Sequence, residues 1–440
     1  MTTSAEVPAA VSFRDALKFW WKLGWISFGG PAGQIALMHT ELVERRRWIS
    51  EKRFLHALNY CMVLPGPEAQ QLATYIGWLM HGTRGGIAAG ALFVLPSLFI
   101  IAALAWVYLA FGHLPAIAAI LWGIKPAVVA IVLAAAWRIG KRSLKNGWLW
   151  AIAGLSFACL TFLHLPFPAI VLAAAGIGAL GGRLRPGIFT SGGGHAGKSG
   201  PHAAALIDDH TPTPLHARHT HSGLLRHLVT GLGLGIIVLA GLLALEDGIG
   251  LLSRLGIFFT QAALLTFGGA YAVLPYVYQA AVMQYGWLTA GQMMDGLALG
   301  ETTPGPLIMI VAFVGFVAGW SVDPLMAVAG ACVATFFTFL PSFLFILIGG
   351  PLVEATHNDL RLTAPLTAIT AAVVGVILNL ALFFAGHVIW PAGVQASGTD
   401  VAALLLIVAA LVALLRFEVN VIRLIAACAV IGLTRSLIPA

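Results

Sequence analysis

Residues 27-SFGGPAGQ-34 return 239 positions later as 266-TFGGAYAV-273, and the fold follows from what else returns with them. Trp48-Ile49-Ser50 recurs as Trp287-Leu288-Thr289, and Pro65-Gly66-Pro67 as Pro304-Gly305-Pro306, at that same offset. Further on, Pro96-Ser97 matches Pro341-Ser342 and Ala127-Val128-Val129 matches Ala372-Val373-Val374, both 245 positions apart. Five motifs in one order make the chain two structural repeats.

Of the 440 residues, 59% are hydrophobic and 9% charged, against about 25% charged in a soluble domain. Apolar segments fall near 13–37, 54–80, 85–111, 116–137, 147–163 and 166–182. After a polar stretch they resume near 228–246, 251–275, 293–320, 324–350, 364–388, 399–416 and 419–438. Most approach the ~20 residues that cross a hydrocarbon core. The fold class is therefore an all-α polytopic membrane protein. Its expected organisation is a first half, 1–182, a cytoplasmic disordered linker, 183–227, an unpaired connecting transmembrane helix, 228–250, and a second half, 251–440.

Seven apolar segments separate the starts of the two halves, and an odd number turns the second upside down. Inverted repeats are the plan of many secondary transporters, whose substrates bind near the midplane. Basic residues test the details, because they favour the cytoplasmic side. With all thirteen segments crossing, sixteen Lys and Arg lie on the side of the N-terminus and linker and seven on the other. With the first two segments of each half re-entrant, the split becomes twenty-one to two, so the re-entrant arrangement is preferred. Both arrangements place the N-terminus and linker in the cytoplasm and the C-terminus outside.

The net charge of +7 thus reads as topology, and no aromatic-basic interleaving of the nucleic-acid kind accompanies it. Cys61, Cys159, Cys332 and Cys428 are scattered without C-x-x-C spacing and read as packing residues, not as disulfides or metal ligands. Seven of the fourteen histidines lie in the linker, whose composition reads as solvated low complexity. Residues 1 to 12 have no basic n-region or cleavage site, so no signal peptide is expected. The linker's 192-GGGHAGKS-199 fits a phosphate loop, but no strand precedes it and 200-GPH-202 follows it. A nucleotide needs that loop between a strand and a helix, so no nucleotide is expected as a partner. Neither H-E-x-x-H nor G-x-S-x-G occurs, and no enzyme chemistry, cofactor or metal is expected.

Chemistry is expected at the breaks. Pro65 and Pro67 lack N–H groups, and Pro67 disfavours a helical Gly66, so no α-helix runs through them. Non-helical backbone at membrane depth survives only inside protein or beside a wet cavity. Pro31 and Pro67 each suit the first turn of a new half-helix, whose free N–H groups and positive dipole end favour an anion. Gly29, Gly30, Gly66, Gly268, Gly269 and Gly305 let backbone approach a ligand closely. Pro304 and Pro306 repeat the second break. The bland reading of these sites is kinks and tight packing; four in repeat register favour the functional one.

Intramembrane charge is scarce. Lys125 stands mid-segment in 119-AILWGIKPAVVAIV-132, where a cation costs about 2.5–3.5 kcal/mol on insertion scales; a substrate counter-ion is the preferred role, a snorkelling or structural lysine the alternative. Glu68 follows the first P-G-P, either complementing a helix dipole or carrying a proton. Glu301 precedes the second P-G-P where the first half has Met62, so the halves differ chemically. Gln34, Gln70, Gln71, Thr302 and Thr303 supply neutral polar groups beside the breaks.

At these residues the sequence resembles the chromate ion transporter family in its long, two-domain form. The resemblance rests on 27-SFGGPAGQ-34, Trp48-Ile49-Ser50 with Phe54, 64-LPGPEAQQLATYIG-77 and Leu95-Pro96-Ser97, with 266-TFGGAYAVLP-275, Trp287-Leu288-Thr289 and 303-TPGPL-307 in the second half. It implies export of chromate across the bacterial inner membrane, driven by ion gradients or membrane potential, and chromate resistance. The second half has Ala270 and Tyr271 where the first has Pro31 and Ala32, so the two sites need not bind alike. Sulfate, close to chromate in shape, is the alternative cargo; an oxyanion importer or exchanger and a passive anion channel are the alternative functions. The lipid bilayer is the expected partner, and a homodimer is compatible with the sequence.

Overall fold

A computed structural model describes residues 8–189, 205–209, 211–212, 214–217, 220–355, 363–391 and 398–437. The described chain is helical, and six of its helices are long and apolar enough to cross a membrane. It is a multi-pass membrane protein.

The first half opens with α1 (Phe13–Ile26), capped by Ser12, whose hydroxyl accepts from the Asp15 amide. At Ser27 the helix stops, and α2 (Gly30–His39) starts with Pro31 in its first turn and runs into a π-helical turn, Thr40–Arg45. Ser50 caps α3 (Glu51–Cys61). After the P-G-P break comes α4 (Glu68–Phe111), with Pro67 as its N-cap, and α4 folds sharply at His81 and Gly82. The two arms of α4 pack so closely that a Cβ on Gly77 would lie 2.6 Å from the Gly85 carbonyl. Three further helices follow, α5 (Pro115–Ser143), α6 (Gly147–Leu163) and α7 (Phe167–Leu184), then a single turn, α8 (Pro186–Phe189).

After α9 (His221–Leu245) the order repeats. The elements are α10 (Leu251–Leu265), α11 (Ala270–Tyr278) with a π turn Gln279–Gln284, α12 (Ala290–Thr302), a 3-10 turn Leu307–Met309, α13 (Ile310–Trp320) and α14 (Pro324–Ala355). The half closes with α15 (Thr363–Ile389), α16 (Val401–Arg416) and α17 (Val421–Ser436). Each P-G-P and the second F-G-G fall between helices, and the first F-G-G ends on Gly30, the residue that opens α2.

Contacts fix where each broken segment begins and ends. Val11 and Phe13 meet His81. Trp48 packs its ring 4.9 Å from Phe19, and Arg46 lies over both. Arg53 and Tyr75 both reach Glu354 in the last turn of α14. The starts and ends of α1–α2 and of α3 with the first arm of α4 therefore share one end of the molecule, here end A. At the other end of α14, Met326 packs against Gly319 at the close of α13. Tyr285 and Trp287 stack on one another and flank Phe258 of α10. That is end B. From α14's 32 residues and ~1.5 Å per residue, the ends are about 48 Å apart along the helix. The helices α1 and α3, of 14 and 11 residues, are too short to cover a core of roughly 30 Å.

The stretch read as a featureless linker is different where it is described. Helix α7 runs to Leu184, and α9 begins at His221, inside the expected linker. Between them, Ile207 forms a parallel bridge with Ile49, with the Ser50 amide donating to the Ile207 carbonyl at 3.0 Å. Ser50 also donates its hydroxyl to Asp209 at 2.6 Å, and His216 pairs with the Trp78 carbonyl at 2.9 Å. The physical reason lies in a few apolar residues. Ile207 buries beside a short extended segment, 47–50, whose backbone groups needed partners, while the turn carrying buried Ala217 packs on α4 and α14. The phosphate-loop match at Gly192–Ser199 lies outside the described residues.

Candidate functional site

The breaks lock the two halves together. The Gly66 amide donates to the Thr266 carbonyl at 2.7 Å, and the Gly305 amide donates to the Ser27 carbonyl at 2.8 Å. Each P-G-P glycine is thereby fastened to the residue just before the opposite F-G-G. Serines of the Pro-Ser pairs complete the crossing. A Cβ on Gly66 would lie 2.4 Å from Ser342 Oγ, and one on Gly305 would lie 2.7 Å from Ser97 Cβ. With φ of +124° and +100°, these two positions also demand glycine for their backbone alone.

The N–H groups of Gly66 and Gly305 themselves are occupied by carbonyls of the other half, so the close backbone approach at these two glycines is made to protein. Bare backbone donors belong to the first turns of α2, α4 and α11, where N–H groups have no intrahelical acceptor. Gly29 and Ala32 are exposed and Gly30 and Pro31 half-buried, whereas Gly268, Gly269 and Tyr271 are half-buried and Ala270 is buried. The first F-G-G turn is thus the more open of the two.

Polar side chains gather around the crossing. Gln34 donates its amide to the carbonyls of Ser27 and Gly305, tying its own F-G-G turn to the opposite P-G-P. Gln71 donates to the Pro65 carbonyl at 2.8 Å. The side-chain oxygens of Gln34, Gln70, Gln71, Ser97 and Ser342 are buried with no protein partner. Five such acceptors or hydroxyls in one place are unusual, since buried polar groups are nearly always paired. Thr302 and Thr303 turn their hydroxyls back onto the carbonyls of Leu299 and Gly300. Glu301 accepts from the Tyr271 hydroxyl at 2.6 Å, joining the last turn of α12 to the first turn of α11. Glu68 sits in the first turn of α4 behind Pro67. Pro304 and Pro306 flank Gly305 in the second break.

Lys125 reaches α12. Its ammonium lies 3.7 Å from Asp295 Oδ2, and a Cβ on Gly291 would be 3.6 Å from it. The Tyr108 hydroxyl donates to the same carboxylate oxygen at 2.9 Å. Asp295 is the residue sequence reasoning missed. It sits inside an apolar run, and the available signal was its position seven residues before Thr302, which puts both on one face of α12.

A family model described as chromate transporter matches residues 14–179 and 253–433 of this chain, once in each half. The chain belongs to the chromate transporter family. Members are membrane transporters and not enzymes. Among the relatives, the chromate transport protein of Pseudomonas aeruginosa is 36% identical over 388 residues, covering 85% of this chain and 82% of its own length. The probable chromate transport protein of Synechococcus elongatus is 30% identical, covering 84% of each chain. The chromate transport protein of Cupriavidus metallidurans is 29% identical over 432 residues, 98% of this chain and 95% of its own. No solved structure matches the chain significantly.

Proposed function

We propose that this protein exports chromate across the bacterial inner membrane as a secondary transporter and so confers chromate resistance. The reciprocal crossing of F-G-G and P-G-P breaks carries the reading. It places non-helical backbone and unpartnered buried oxygens inside a chain whose relatives are named chromate transport proteins. Such breaks in membrane helices form substrate sites between repeats.

In this reading the halves are inverted repeats, end A faces the cytoplasm and end B the outside. The twenty-one to two division of basic residues that the re-entrant arrangement gives in sequence supports that orientation. The dianion binds at the opening beside Gly29 and Gly30, where the first turn of α2 offers N–H groups and the positive end of a helix dipole. The matching turn at Gly268 and Gly269 takes it in the opposite phase of the cycle. Lys125, beside Gly291 and Asp295 in the first turns of α12, supplies a positive charge on the end B side of the breaks. Movement of a dianion outward is favoured by an interior-negative potential, which makes nucleotide hydrolysis unnecessary.

Expression in a chromate-sensitive bacterium tests this. Cells carrying the protein should accumulate several-fold less labelled chromate than cells carrying a Gly30→Val variant that inserts equally well. Equal accumulation in both would overturn the export reading. Competition by sulfate, close in shape and charge, is expected at higher concentration.

A further inference from the structure

The pairing of Lys125 with Asp295 bears on which anions the site admits, and the inference rests on Lys125 being the substrate's counter-ion. We infer that Asp295 is a specificity-determining residue: a tethered carboxylate that occupies Lys125 until a dianion displaces it.

Three observations carry this. Asp295 is 2% exposed, so its charge has almost no water around it and needs protein partners. Both partners, Lys125 Nζ and the Tyr108 hydroxyl, address Oδ2, while Oδ1 is buried with none. Lys125, by contrast, keeps 32% of its side chain exposed. An ammonium has three donors, and at 3.7 Å from the carboxylate the lysine is held loosely. The pair also joins the halves, since Lys125 and Tyr108 belong to the first and Asp295 to the second.

The consequence follows from competition. A tethered carboxylate faces its lysine at an effective concentration in the millimolar range or above. A free monoanion such as nitrate or chloride carries the same charge and has no tether, so it loses. A dianion has twice the charge and wins the lysine despite the neighbouring carboxylate. Asp295 therefore sets a charge threshold and excludes the abundant monoanions of the cell, a use of repulsion to build specificity. It also weakens dianion binding enough for release. Without substrate the pair is neutral.

The test uses the full-length protein reconstituted in liposomes, with labelled chromate flux measured against added nitrate. Asp295→Asn should lower the chromate KM about tenfold, since removing a like charge a few ångströms away is worth a factor of that order. It should also make flux sensitive to nitrate, which leaves the wild type untouched. Tyr108→Phe should act in the opposite direction. Without the hydroxyl the carboxylate holds Lys125 more tightly, and the KM should rise two- to threefold, a fraction of the weight of one hydrogen bond to a charged group. That variant keeps the inference testable if Asp295→Asn does not insert. An unchanged KM in Tyr108→Phe, or an Asp295→Asn protein that still ignores nitrate, would overturn the assignment.

Two further variants separate this inference from the reading beneath it. Lys125→Gln with normal chromate KM means the counter-ion reading fails, and this inference with it. The double variant Lys125→Ala/Asp295→Ala removes both charges. If the pair only braces the fold, the double variant recovers wild-type KM, and the specificity role is refuted. If Lys125 holds the anion, the KM stays raised.

Discussion

The Gly66 amide donates to the Thr266 carbonyl across 2.7 Å, so the first half's P-G-P break is pinned to the threshold of the second half's F-G-G. The same bond in mirror register joins Gly305 to Ser27 at 2.8 Å. Two bonds related by the sequence repeat make the centre of this protein a shared joint, and no half can form it alone.

Substituting the joint glycines should therefore cost stability as well as transport. Gly66→Ala meets both a φ of +124° and Ser342 Oγ at 2.4 Å. Backbone strain of about 1–3 kcal/mol is expected, before any overpacking. Gly154→Ala, with open space around it and no positive φ, serves as the control and should be neutral. Ser342→Ala removes a hydroxyl with no hydrogen-bond partner, so it should be tolerated alone and should recover part of the Gly66→Ala loss. Thermal unfolding in detergent measures all four. Equal midpoints for Gly66→Ala and Gly154→Ala would refute the joint.

The open turns should respond differently. Gly269 has a φ of +97° with nothing within 4 Å of a new Cβ, and Gly30 a φ of +70° with Leu307 Cδ1 at 3.2 Å. Gly269→Val and Gly30→Val carry the same backbone strain of a positive φ, and in the protein that still inserts chromate flux should fall at least tenfold, measured per inserted molecule. Normal flux in both would remove the anion site from these turns.

The repeat and the helix breaks were legible because their physics is local. A lone proline such as Pro96, Pro126 or Pro341 sits inside a helix here, but two prolines around a glycine at positive φ break one locally, so Pro65-Gly66-Pro67 and Pro304-Gly305-Pro306 reveal themselves without neighbours. The partners of those breaks were not legible. That Gly66 spends its amide on Thr266 depends on how the halves dock, two hundred residues apart in sequence. Asp295 was hidden for the same reason: a lone acid in an apolar run acquires meaning only when α12 brings it beside Lys125. The docking of Ile207 on Ile49 was masked by a polar, glycine-rich surrounding in which two or three apolar residues carry the contact.

That docking makes a prediction about the linker. Lys198→Ala should leave transport unchanged, since no nucleotide is used. Ile207→Asp places a charge where the side chain is 7% exposed and should release the segment from α3. The expected result is faster proteolysis between residues 190 and 220 and a loss of about 1–3 kcal/mol in stability. Unchanged proteolysis would mean that the segment is not held there.

Sidedness follows from the repeat. In a background with all four native cysteines replaced by serine, single cysteines at Arg45 and Met283, both well exposed, occupy near-equivalent places in the two halves. They should label with impermeant maleimide from opposite sides of the membrane. Labelling of both from one side would exclude the inverted arrangement.

The most direct measurement is chromate flux through the purified protein in liposomes under an imposed potassium diffusion potential, with no nucleotide present. Labelled chromate should leave the compartment facing end A, and leave it faster as that compartment is made more negative. Flux no greater than that of protein-free liposomes, at any potential, would contradict the account.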